Sequence, residues 1–292
     1  DPNDILSRAE RAYEEARQAG PDTHRIYQPK KGELSQKQID RQWVDRIRGV
    51  LRNEHLQLLY EPIVSLTGES TPRYEVLFRV LDDDGRAVED PEMLAAAERT
   101  GMSRGLDRWT VLNALKALIE QLKIDGESVF FVPLSGHAFD DPSLFKWIHD
   151  RVSQADLPDG ALVFQIDAGA AASRIKQAGA FAQAVHTIGC RMCLSGFGHG
   201  ADPFQVTRHV AADYLRVNEE FTHNLQQNAR NQEAIREIAA RAADEGKRII
   251  CPGVKDAASL SVLWGLGTDM IEGEFLQEPD TQCNYDFSAM AM

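Results

Sequence analysis

Between residues 56 and 271 the sequence alternates short runs rich in β-branched and aromatic residues with longer runs of helical period, and this alternation constrains the fold more than any other feature. Strands are read at 56–66, where Pro62 interrupts the run, at 73–80 after the turn Thr67-Gly68-Glu69-Ser70, and at 128–134, 161–166, 191–194, 214–217, 248–251 and 269–271. Helices are read between them at 91–100, 106–123, 142–154, 170–187, 219–245 and 256–265. Strands separated by helices pair in parallel, because a crossover helix returns the chain to the same end of the sheet. Roughly eight such units over about 240 residues predict the α/β class, with the sheet closed into a TIM-like (β/α)8 barrel rather than left open.

Two helical stretches precede the barrel. Ile5, Ala9, Ala12, Tyr13 and Ala16 share one side of a helix over 4–19, which Gly20 and Pro21 stop. The polar segment 28–37 reads as a linker, and Ile39, Trp43, Ile47 and Leu51 stand at helical spacing in a lead-in helix over 38–53.

The 292 residues are 43% hydrophobic and 26% charged, enough apolar material for a full core. A formal net charge of −13 opposes non-specific contact with nucleic acid polymers and anionic membranes, whose phosphates would meet a repulsive field. The longest apolar runs fall short of the roughly 20 residues of a membrane span, and Asp1-Pro2-Asn3-Asp4 does not open a signal peptide. A cytoplasmic location without a membrane span is expected. Cys190 and Cys193 form a C-x-x-C, but residues three apart on a strand face opposite sides, and neither Cys251, Cys283 nor any histidine spacing completes a chelate.

In a barrel of this kind the chemistry sits at the carboxyl ends of the strands. The run Arg73-Tyr74-Glu75-Val76-Leu77-Phe78-Arg79-Val80 places Glu75, Leu77 and Arg79 on one face and Tyr74, Val76 and Phe78 on the other. Later strand ends offer Pro133, Leu134 and Ser135; Gln165, Ile166 and Asp167; Ser195 through Gly200; Arg216, Val217 and Asn218; and Cys251, Pro252 and Gly253. One carboxylate, Asp167, stands among them, whereas magnesium or manganese wants several hard oxygen ligands.

These residues, in this order, resemble the EAL domain family of cyclic-di-GMP phosphodiesterases over roughly 45–280. Tyr60-Glu61-Pro62-Ile63-Val64 is similar to the family's Tyr-Gln-Pro-Ile-Val opening, Glu75-Val76-Leu77-Phe78-Arg79 to its Glu-Ala-Leu-Leu-Arg motif, and Leu106-Asp107-Arg108-Trp109 to Leu-Asp-Arg-Trp. Leu134-Ser135, Gly196-Phe197-Gly198-His199-Gly200, Asp213-Tyr214-Leu215-Arg216-Val217 and Ile271-Glu272-Gly273-Glu274-Phe275-Leu276 continue the match. Active members hold two metal ions with the motif glutamate, an asparagine, a second glutamate and paired aspartates, and use a lysine near the attacking water. Here Pro133 stands for the asparagine, Gln165 for the second glutamate, Ser195 and Gly196 for the aspartates and Arg216 for the lysine. Asn218 replaces the aspartate after it, and Pro252 and Lys255 the acids of an Ala-Glu-Gly-Val-Glu loop. Proline and glycine carry no side-chain ligand, and arginine stays protonated and cannot act as a base. The resemblance therefore implies a degenerate domain: not an enzyme, without catalytic or metal-binding residues, requiring no cofactor, with cyclic-di-GMP as bound ligand.

The contacts implied for that ligand are Glu61, Leu77, Phe78, Arg79, Asp107, Glu272 and Gln277. Read on their own, Leu77 also fits a core position, Asp107 an N-cap for a helix from Arg108, and Arg79 a partner for Glu75. The loop 196–200 reads either as a phosphate cradle or as a tight βα turn.

The Glu-Val-Leu form of the motif is similar to FimX-type receptors of the family, as is the stretch 7–20 with Arg25-Ile26-Tyr27, which resembles the end of a diguanylate-cyclase-type (GGDEF) domain. That resemblance implies a role in type IV pilus and twitching motility control, a PilZ-family protein as partner and a homodimer in the full-length protein. The expected organisation is a GGDEF-like tail over 1–27, a linker and lead-in helix over 28–53, the EAL-like barrel over 54–282 and a C-terminal tail over 283–292. Two other functions stay open: a weak metal-dependent phosphodiesterase using Glu75, Asp167 and Glu272, and a structural or dimerisation barrel without nucleotide.

Overall fold

The computed structural model describes residues 9, 10, 12–14, 16, 17, 24, 35–53, 55–88 and 92–290. The expected GGDEF-like tail falls mostly outside the described residues, as do residues 28–34 of the linker expected over 28–37, whose last two residues are already helical.

Among the described residues one sheet is built from β1 (Leu56–Pro62), β2 (Val64–Ser65), β3 (Arg73–Leu81), β4 (Ala87–Val88), β5 (Val129–Pro133), β6 (Leu162–Asp167), β7 (Arg191–Phe197), β8 (Tyr214–Val217), β9 (Arg248–Cys251) and β10 (Met270–Ile271). The strands run in the order β1, β3, β5, β6, β7, β8, β9, β10, β2, with β4 added to β3. Since β1 and β2 are joined through Ile63, the two ends of this path are one stretch of chain, and the path closes into the expected TIM-like barrel. Pro62, which has no N–H to give a ladder, sits where the chain leaves β3 and crosses to β10.

The barrel is not all-parallel. β1 and β4 pair with β3, and β2 with β10, in antiparallel register, while the neighbours along β3, β5, β6, β7, β8, β9 and β10 pair in parallel. The turn over 66–72 is too short for a helical crossover, so β3 must return beside β1 as a hairpin.

The helices that accompany the sheet are α1 (Gln36–Arg52), α2 (Glu92–Thr100), α3 (Ser103–Asp125), α4 (Pro142–Val152), α5 (Ala168–Ser173), α6 (Ile175–His186), α7 (Ala229–Asp244) and α8 (Ala257–Gly265). The single helix expected over 170–187 breaks at Arg174 into α5 and α6. The long helix expected over 219–245 opens instead with separate 3-10 turns, because Asn224 takes a left-handed conformation (φ 51°), and α7 starts only after the Asn228 side chain accepts from Asn231 N–H.

Inside the barrel Ile63, Phe131, Val163, Cys193, Ile250 and Met270 form a filled apolar layer. A larger core lies between the sheet and the surrounding helices. Ile47 and Val50 of α1 pack with Val80, Met93 and Leu106, so the lead-in helix is docked beside the carboxyl end of β3. Ser35 and Gln38 start it with a reciprocal capping box. At the other terminus Phe287 meets Tyr74 edge-on at 5.3 Å, and Tyr285 N–H donates to the Tyr74 hydroxyl, which holds the C-terminal residues against β3.

Candidate functional site

Side chains two positions beyond the apolar layer point to the same face and stand at the barrel mouth. This places Pro133 after Phe131, Gln165 after Val163, Ser195 after Cys193 and Glu272 after Met270. β3 adds Glu75, and β8 adds Arg216 two positions after Tyr214.

Arg216 ties this layer together. Its Nη2 donates to Glu75 Oε2 at 3.1 Å and its Nε to Glu272 Oε1. Gln165 Nε2 donates to the other Glu75 oxygen at 2.6 Å. Burial opposes the charge on Arg216, but Glu272 and Glu75 outweigh it and raise its pKa further above the ordinary arginine range. Burial, and then the nearby Glu75 charge, pushes Glu272 well above the usual carboxylate range, against the pull of Arg216. Glu75 and Arg79, offered by the sequence as partners, do not pair: Arg79 donates to Gln57 Oε1 from Nε at 3.0 Å and from Nη2 at 2.8 Å.

Glu61 lies directly opposite Glu75 in the β1–β3 register. Burial, then the Glu75 charge, pushes its carboxyl up to about 7. A raised folded-state pKa means stability that is complete below the unfolded value near 4.5 and is lost as pH rises through about 7. Glu61→Gln should therefore flatten this fall and be more stable than wild type above neutrality, by about 2 kcal/mol after allowance for the solvent-facing edge of the side chain. Urea titrations at acidic and alkaline pH check it; parallel curves for the two proteins would remove the repulsion between Glu61 and Glu75.

Beside the mouth, Leu77 and Phe78 of β3, Leu94 of α2, and Leu106 and Asp107 of α3 border one cavity together with Pro133 through Gly136, Gln165 and Ser195. Leu94 is 56% exposed and Asp107 only 5%, so an apolar wall open to solvent leads to a buried carboxylate. Asp107 accepts from Ser135 N–H at 2.8 Å and Ser135 Oγ at 2.7 Å. Burial raises its pKa and the Ser135 bonds offset part of the rise. The N-cap reading of Asp107 fails, because α3 begins at Ser103 and Asp107 lies inside it. Leu77 is half-buried at the cavity edge and not in the core.

Arg79 and Gln277 border a separate cleft with Leu59 and Pro279. Glu272 reaches neither hollow: it is fully buried and its Oε1 is taken by Arg216. The loop 196–200 behaves as a tight turn and not as a phosphate cradle. Gly196, Gly198 and Gly200 have φ of 62°, 119° and 95°, and the Asp167 carboxylate lies 2.8 Å from where a Gly196 Cβ would stand, an anion where the cradle would need none. Sequence reasoning missed Leu94 as a cavity residue, and it placed Ser135 at a strand end without assigning it a contact.

A TIM-like barrel with its polar cluster and adjoining hollows at the strand carboxyl ends defines the class. The chain belongs to the EAL domain family, whose signature it matches over residues 44–279. It is 34% identical to the FimX EAL domain of Pseudomonas aeruginosa solved with c-di-GMP bound, over 84% of this chain and 99% of that one, with a TM-score of 0.79. It is also similar to the cyclic di-GMP phosphodiesterase PdeB of Shewanella oneidensis, 23% identical over 97% of this chain and 33% of that protein. The cyclic di-GMP phosphodiesterase PdeF of Escherichia coli is 20% identical over 81% of this chain and 31% of its own length. The chain thus spans about a third of these two curated relatives. Their names overturn the expectation that the chain is not an enzyme, which rested on the replaced ligand positions alone: relatives matching most of this chain are named for hydrolysis. Among the described residues no helix is long and apolar enough to cross a membrane.

Proposed function

We propose that this domain is a cyclic-di-GMP receptor that relays occupancy to a protein partner, and that it holds the nucleotide without divalent ions. The observation that supports it most is the hollow joining Leu77, Phe78 and Leu94 to the buried Asp107 carboxylate, in a chain 34% identical to a domain solved with this nucleotide. A guanine ring is flat and apolar on its faces, and its N1 and N2 protons suit a carboxylate acceptor. Arg79 supplies a planar fork for phosphate or guanine oxygen at the neighbouring cleft, with Gln277 beside it. Metal-free binding fits the donors at the mouth. Pro133 and Gly196 have no ligating side chain, Glu75 is held by Gln165 and Arg216, and among the described residues no group of three acids, histidines or cysteines is placed to hold a metal.

A cytoplasmic setting, a PilZ-family partner, homodimerisation in a longer protein and a role in type IV pilus control belong to the same reading and rest on the likeness to FimX. A second reading, hydrolysis of the same nucleotide, is favoured by the names of the curated relatives.

Calorimetric titration with cyclic-di-GMP in excess EDTA tests the first reading, and recovery of the ligand after incubation with magnesium or manganese tests the second. Tight binding in chelator is expected; no heat with or without metal would sink the receptor reading. Appearance of linear dinucleotide, abolished by Glu75→Gln, would establish the second. Arg79→Ala should weaken binding roughly ten- to hundredfold, the value of a lost charge-assisted fork, while its half-exposed position keeps the loss of stability under about 1 kcal/mol.

A further inference from the structure

Glu75 and Glu272 stand on β3 and just beyond β10, only 3% and 0% exposed, and both face the barrel mouth. Two carboxylates brought together out of water repel one another and lose hydration, so the fold needs a cation between them. Among the described residues the one cationic side chain bonded to either is Arg216, which reaches both, with Nη2 on Glu75 and Nε on Glu272. Gln165 Oε1 and Glu272 Oε2, buried in the same cluster, have no hydrogen-bond partner.

We propose that Arg216 is the resident cation of the mouth: its guanidinium does the charge balancing for which a divalent ion would otherwise be recruited, and so keeps divalent ions out. An arginine is protonated at any working pH and, being covalently attached, cannot be chelated away. A divalent ion brought beside it meets a fixed like charge and finds both Glu75 oxygens and Glu272 Oε1 already engaged. Without the guanidinium, the same place offers two carboxylates and the unpartnered amide oxygen of Gln165, hard oxygen donors of the kind that magnesium and manganese accept together with water. The inference goes beyond nucleotide binding and does not depend on it, and its test contains no nucleotide.

Manganese is titrated into the apo chain, with free ion followed by its electron paramagnetic resonance signal and stability by thermal melting. Wild type is expected to take up no ion that Glu75→Gln removes, and to melt unchanged. Arg216→Met is expected to take up one manganese and to gain about 5 °C in Tm at a hundredfold excess over Kd. A wild-type chain with a Glu75-dependent manganese site, or a folded Arg216→Met that takes up none, overturns the proposal. If Arg216→Met does not fold, adding Glu272→Gln removes one of the bared charges and should restore the fold; a double variant as unfolded as the single one also overturns it.

Discussion

Gly273→Ala is expected to destabilise the domain by about 4 kcal/mol or more, the range reached only when a backbone position has no room to adjust. Gly273 has φ 145°, where side-chain-bearing residues are strained, and a Cβ there would lie 2.3 Å from Val254 N and 2.4 Å from Val254 O. Those atoms are backbone, and both are in use: Val254 N–H donates to Glu272 O at 3.0 Å, and Phe275 N–H donates to Val254 O at 3.0 Å. The segment after β9 and the segment after β10 are sewn together at this point, so neither can move off without breaking the other. Relief of the clash would also displace Glu272 from Arg216 and leave a buried charge without its partner. Urea denaturation compares the variant with Gly246→Ala, which also has positive φ, 66°, but meets nothing within 4 Å and should lose far less. Equal losses at the two positions would make the close approach to Val254 irrelevant.

How much of this was legible in the sequence follows from which forces are local. The strand-and-helix alternation survives because burial imposes it on each segment separately, and Pro62 announced the place where the first strand breaks. The antiparallel start of the barrel was legible too, in the shortness of the turn at 66–72, although the repeated units invited an all-parallel reading. The two-residue period placed Glu75 at the mouth correctly. It failed further along the same strand: pairing of β3 with β5 stops at Glu75, so Leu77, Phe78 and Arg79 rise past the rim with β1 as their only ladder partner until β4 joins at Val80. There Phe78, expected on the face opposite Leu77, packs edge-on to Trp109 at 6.4 Å and shares the Leu77 cavity, because α2 and α3 fold over the free end. Leu94 belongs to that wall only through the angle between two helices, which no spacing encodes. Likewise Arg216 is 141 residues from Glu75 and 56 from Glu272, and nothing local to any of the three states that they meet.

Asp107 carries the other large expected effect, on binding rather than on folding. Its carboxylate is 5% exposed, faces the hollow with Leu77 and Phe78, and keeps acceptor capacity beyond the two bonds from Ser135. Asp107→Ala should weaken cyclic-di-GMP binding by about a hundredfold, the upper value for a charge-assisted hydrogen bond. It should also cost about 2 kcal/mol of stability, because Ser135 N–H and Oγ lose their acceptor. Asp107→Asn separates the two roles. Its amide oxygen can still accept from Ser135, so stability should fall by less than about 1 kcal/mol. Its NH2, however, presents donors to the N1 and N2 protons of a guanine, where the carboxylate presented acceptors. Binding should therefore suffer nearly as much from Asn as from Ala. Calorimetry and thermal melting on the three proteins decide it: Asn binding like wild type would make Asp107 a structural clamp on Ser135, and the guanine would have to be held elsewhere, with the Arg79 and Gln277 cleft as the next place to look.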